Sequence, residues 1–89
     1  MEVCFLGYSD MNFQTKDGSH IDGVKVFYYY PTNKPNYVGF ESGSYFVGRS
    51  NQKLIENIRH CVPGNYYRLN MGYDGRKAVL ISLDPVKAS

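Results

Sequence analysis

Within Gly23-Val24-Lys25-Val26-Phe27-Tyr28-Tyr29-Tyr30, the residues Lys25, Phe27 and Tyr29 stand two apart, a cation beside two rings. Side chains alternate across an extended chain with a period of two, so these three share one face and Val24, Val26 and Tyr28 share the other. The second set reads as core. The first set suits a flat, ring-bearing, negatively charged ligand, because bases stack on rings while an ammonium meets phosphate, the chemistry of single-stranded nucleic acid. A strand buried on both faces is the competing reading and stays open at this point. Lys16 and Lys34 flank the segment on adjoining loops, and the second half of the chain adds Tyr66, Arg68, Tyr73, Arg76 and Lys77 as further rings and cations.

Catalytic constellations are missing. The chain has no paired carboxylates at a diagnostic spacing, no Gly-rich phosphate loop followed by Lys-Ser or Lys-Thr, and no nucleophile elbow. Cys4 and Cys61 lie far apart, in no metal-type spacing with His20 and His60, so two reduced buried thiols are expected, with a single disulfide as the alternative. Next to each other at a helix end, His60 and Cys61 point in different directions and make no dyad. The expectation is a protein without enzymatic activity, metal, cofactor or small-molecule substrate.

The elements that must position these residues follow from pattern and punctuation. A first strand runs from Glu2 through Tyr8 to Thr15, bent near Gly7 to Asp10, and Lys16-Asp17-Gly18-Ser19 turns it into the main strand, Ile21 to Tyr30. Pro31 and Pro35 end that strand, since proline cannot donate to a sheet ladder. Tyr37 to Val47 reads as one strongly bent third strand. Leu54, Ile55 and Ile58 fall at helical spacing within a helix from Asn51 to His60, capped by Ser50 or Asn51. After Pro63-Gly64, the segment from Asn65 to Tyr73 alternates Tyr67, Leu69, Met71 and Tyr73 against Tyr66, Arg68, Asn70 and Gly72. Asp74-Gly75 then turns the chain into a last strand from Arg76 to Leu83. The expected core holds Val3, Phe5, Val24, Val26, Tyr28, Val47, Leu54, Ile58, Leu69, Met71 and Leu80.

With 89 residues, 43% hydrophobic and 20% charged, the chain has the size of one small domain, with residues 86–89 as a short tail. Its longest apolar runs fall far below membrane-spanning length and no leader pattern opens it, so a cytoplasmic protein with no membrane partner is expected. The net charge of +2 is unevenly spread. Up to Gly48 three lysines face five acids, whereas from Arg49 to Lys77 six basic residues face Glu56 and Asp74. That is a weak polyanion footprint unless the fold gathers it on one side.

Three strands, a helix and two strands, closely connected, match the order of an OB-fold. The expected class is therefore all-β with one short helix: a five-stranded, antiparallel Greek-key barrel whose second and third strands face the ligand. An SH3-like or simple α+β sheet is the alternative. Two pieces of the chain also carry a family resemblance. Thr15-Lys16-Asp17-Gly18-Ser19-His20-Ile21-Asp22-Gly23 resembles the DNA-binding wing of the small single-stranded DNA-binding proteins of filamentous phages. Pro63-Gly64-Asn65-Tyr66, the hairpin tip at Tyr73 to Gly75 and the terminal apolar strand are similar to the C-terminal half of those proteins. The resemblance implies an OB-type barrel, a homodimer and sequence-tolerant coating of single-stranded DNA in phage or mobile-element replication, with Lys16 as the wing cation and Tyr73 as the tip aromatic. The chain departs from that pattern at Ile21, where a second wing cation is expected, and at Asp17 and Asp22. RNA is the alternative ligand. A small assembly protein that uses its tyrosines as a protein interface is the alternative function.

Overall fold

Period-two alternation makes the β-prone segments one-sided, and the computed structural model, which describes residues 2–86, assembles them into a single sheet. The elements are β1 (Glu2–Gln14), β2 (His20–Pro31), β3 (Phe40–Gly48), α1 (Gln52–Arg59), β4 (Tyr66–Asp74) and β5 (Lys77–Pro85). The strand order is β3-β2-β1-β4-β5, and all four neighbouring pairs are antiparallel. Among the described residues no ladder joins β3 to β5, so the sheet is curved but open.

One face of the sheet carries the core. Val3 and Phe5 of β1, Val24 and Val26 of β2, Val47, Tyr67, Leu69, Leu80 and Leu83 are buried against Leu54, Ile55 and Ile58 of α1. Each such side chain contributes roughly 1.5–3 kcal/mol through burial. The helix begins where the Asn51 side chain accepts the Leu54 N–H at 3.3 Å. It is stitched to β5 by Asn57, whose side-chain amide accepts the Leu83 N–H at 2.7 Å and donates to the Leu83 carbonyl at 3.1 Å. Arg49, just past β3, pairs with Asp22 at 3.0 Å and Asp10 at 3.4 Å, and Arg59 reaches Asp10 at 3.3 Å, tying both ends of the helical segment to the β1–β2 hairpin.

The expected elements are present, with three corrections. The third strand starts at Phe40 rather than Tyr37; the preceding residues form a loop in which the Tyr37 hydroxyl donates to the Phe40 carbonyl. Met71 is 49% exposed instead of core, and Tyr73, on the same side of β4, is 81% exposed. Both lie past Leu69, farther from the stretch Tyr66 to Arg68 that pairs with β1. Tyr28 is only half-buried, packing on the edge of the core. Ile55, Tyr67, Leu83, Cys4 and Cys61 join the buried set, and both thiols are free.

Candidate nucleic-acid interface

The other face of the sheet holds the residues from which the nucleic-acid reading started. Opposed residues of antiparallel strands share a face with their Cβ atoms about 5 Å apart, so the register gives the layout directly. Lys25 lies between Ser9 of β1 and Phe46 of β3, Phe27 between Gly7 and Ser44, and Tyr29 between Cys4 and Ser42. On its far side Cys4 pairs with Tyr66, so Tyr66, Cys4, Tyr29 and Ser42 form one row across four strands. The reading in which β2 is buried on both faces is ruled out. Val24 and Val26 are fully buried, whereas Phe27 is exposed and Lys25 and Tyr29 are half-exposed.

Phe27 stands between two small neighbours, Gly7 and Ser44. Opposite Phe27 the β1 backbone bulges between Phe5 and Gly7, and Gly7 takes a φ of +152°, a conformation that residues with a Cβ rarely adopt. Lys25 Nζ sits 5.6 Å from the Phe27 ring centroid, a cation–π contact that holds the ammonium over the face. Phe40 meets Tyr29 edge-on at 5.3 Å and 81°. The Cys4 thiol, and then the Tyr66 hydroxyl, beside the Tyr29 phenol favour its neutral form and push its pKa up to about 12, while Phe40 and Tyr66 present open rings, 60% and 58% exposed.

The ten residues singled out in the sequence divide. Lys25, Phe27, Tyr29, Tyr66 and Arg68 share this face. Arg68 stands between Glu2 of β1 and Asp84 of β5 in the register. Lys34 lies in the β2–β3 loop, held by Glu41 at 2.6 Å, which raises the lysine's pKa and lowers that of Glu41. Lys16 is on the β1–β2 turn, where Asp17 accepts from Thr15 and from the Ser19 N–H. Tyr73, Arg76 and Lys77 sit at the β4–β5 hairpin, past the end of β1 and away from the row.

Sequence reading missed Phe40 and Phe46, which extend the ring surface on β3. Their signal is the alternation Phe40, Ser42, Ser44, Phe46 against Glu41, Tyr45 and Val47, which the Ser42-Gly43-Ser44 interruption obscures. Within the described residues no helix is long and apolar enough to cross a membrane. In comparisons with known proteins, the chain matches no family model, no curated sequence and no solved structure.

Proposed function

We propose that this chain binds single-stranded DNA without catalysis and with little sequence preference, stacking bases on the outer face of β1, β2, β3 and β4. The row of rings and small residues around Phe27 carries this reading. Residues two apart on a strand are about 6.6 Å from each other, close to the reach between successive bases of a stretched strand, so Phe27 and Tyr29 with Phe46, Phe40 and Tyr66 at their sides offer consecutive stacking positions. Every base has a π-face, and stacking therefore tolerates any sequence. RNA is the alternative ligand.

The strand order supports the same reading. An OB barrel opened between its third and fifth strands has the order β3-β2-β1-β4-β5 with the helix between the third and fourth, and its ligand face includes the second and third strands. We place the protein in phage or mobile-element replication in the cytoplasm. We propose a homodimer whose contact is the free edge of β1, since its residues beyond Phe5 pair only with β2.

The face is poor in cations, and this shapes the test. Lys25 and Arg68 alone would neutralise about two phosphates, giving a slope of log K against log salt of about −1.4 for a single strand. The chain has no tryptophan, so its emission comes from nine tyrosines, of which Tyr29 and Tyr66 lie on the face. Titration with oligo(dT) should quench that emission with a shallow salt slope. Unchanged emission on saturation with oligo(dT) would favour the assembly-protein reading, in which the rings form a protein interface.

A further inference from the structure

The two edges of the sheet run in the same direction. Each of the five strands is antiparallel to its neighbour along β3-β2-β1-β4-β5, so with an odd number of strands the first and last are parallel. The curl of the sheet sets these edges on opposite walls of one groove of about 770 Å³, Tyr45 to Gly48 on one side and Val79 to Ser82 on the other, with Leu54 and Asn57 of α1 between them.

Ladder phase shows which backbone groups the groove receives. The Arg49 N–H donates to the Asp22 carbonyl and the Thr32 N–H to the Gly39 carbonyl. The odd-numbered residues along β3 therefore bond β2, and the N–H and C=O of Ser44 and Phe46 point to the open edge. On β5, the Val86 N–H donates to the Tyr66 carbonyl, which turns the backbone groups of Leu83 outward. There the Asn57 amide takes both, as a residue of a neighbouring strand would. A strand entering the gap from Ser44 to Phe46 would run antiparallel to both walls and close the sheet with antiparallel pairs throughout.

Such an occupant must have two free edges. Among the described residues every strand already has at least one edge paired with a neighbour, so none of them can fill the gap from a second copy without breaking a ladder of its own. Side-chain requirements are also visible. An apolar cavity of about 160 Å³ shares Tyr45 and Leu80 with the groove and is completed by Tyr28, Tyr30, Leu69 and Met71, which suits one inward aliphatic side chain. The charged groups lining the groove are Asp74 and Asp84 against Lys53, a net acidic lining that suits basic side chains.

We propose that the gap between β3 and β5 receives one extended segment of a partner polypeptide, antiparallel to both edges, with an aliphatic side chain in the cavity beside Tyr45 and basic side chains toward Asp74 and Asp84. This mode is β-strand addition, in which main-chain hydrogen bonds supply affinity and alternate side chains supply specificity. It is independent of the nucleic-acid reading.

The probe is a fluorescein-labelled peptide of about seven residues alternating lysine and isoleucine, long enough for a typical strand, titrated into the full chain. A second peptide of the same sequence is N-methylated at alternate residues along one edge. Saturable binding of the first, about tenfold weaker binding of the second, and slowed hydrogen exchange at the Ser44 and Phe46 amides are expected. Ser44→Pro, which removes an outward N–H and no ladder bond, should weaken binding with the circular dichroism unchanged. Equal binding of the two peptides would overturn the proposal, since the contact would then be only charge and grease. Ser44 and Phe46 amides already protected in the free protein in a concentration-dependent way would also overturn it, by showing a strand-exchanged copy in the gap.

Discussion

The Phe46 ring lies across Gly23 of the neighbouring strand: a Cβ added at Gly23 would come within 2.7 Å of Phe46 Cζ and 2.1 Å of the Val47 carbonyl oxygen. Gly23 is therefore the floor on which the first ring of the outer face rests, one step before Lys25. Gly23→Ala should destabilise the fold by about 1–3 kcal/mol through overpacking and displace Phe46. Urea unfolding checks the first effect. A variant as stable as the parent would mean that the β2–β3 contact is looser than described.

Asn57 joins the helix to the β5 edge with two hydrogen bonds to a single residue, Leu83. Asn57→Ala leaves both backbone groups of Leu83 without a protein partner and should cost about 1–3 kcal/mol, with faster hydrogen exchange confined to the end of β5. Asn57→Asp keeps an acceptor for the Leu83 N–H and loses the donor to its carbonyl, so it should fall between the parent and the alanine variant. Exchange at Leu83 that stays as slow as in the parent would contradict the assignment.

Tyr29 gives a pH signature with a definite sign. Its folded pKa of about 12 lies above the ordinary 10.0, because the Cys4 thiol and then the Tyr66 hydroxyl favour the neutral phenol. The stability it lends is complete below pH 10 and is lost as pH rises from 10 toward about 12. Absorbance titration should show a tyrosine ionising near 12 in the parent that is lost in Tyr29→Phe. Tyrosines that all ionise together near 10 would remove the Cys4-Tyr29-Tyr66 row as a fixed unit.

Much of this arrangement was legible in the sequence, and the parts that were not share a physical cause. Alternation at Val24 to Tyr29 assigned the two faces of β2 correctly, Asp17-Gly18 and Asp74-Gly75 marked both hairpins, and Leu54, Ile55 and Ile58 marked the helix. Alternation says which side chains share a face; whether anything covers that face depends on the length of the neighbouring strand. Met71 and Tyr73 continue the pattern of Tyr67 and Leu69, yet they run past the end of β1 into solvent. Likewise the sequence marks Lys34 as a cation, while Glu41 across a loop decides how much charge it offers a ligand. The gap between β3 and β5 depends on how far the sheet curls, which no local pattern encodes.

The most direct test of the nucleic-acid reading is fluorescence anisotropy with labelled oligo(dT) and with a duplex of equal length, comparing the parent with Phe27→Ala and Tyr66→Ala. Each ring lies on the exposed face outside the buried core, so both variants should keep their thermal stability to within about 1 kcal/mol while losing roughly 1–3 kcal/mol of single-strand affinity. A clear preference of the parent for the single strand, reduced in both variants, is expected. Equal affinity for the duplex, or variants that bind oligo(dT) as well as the parent, would contradict it.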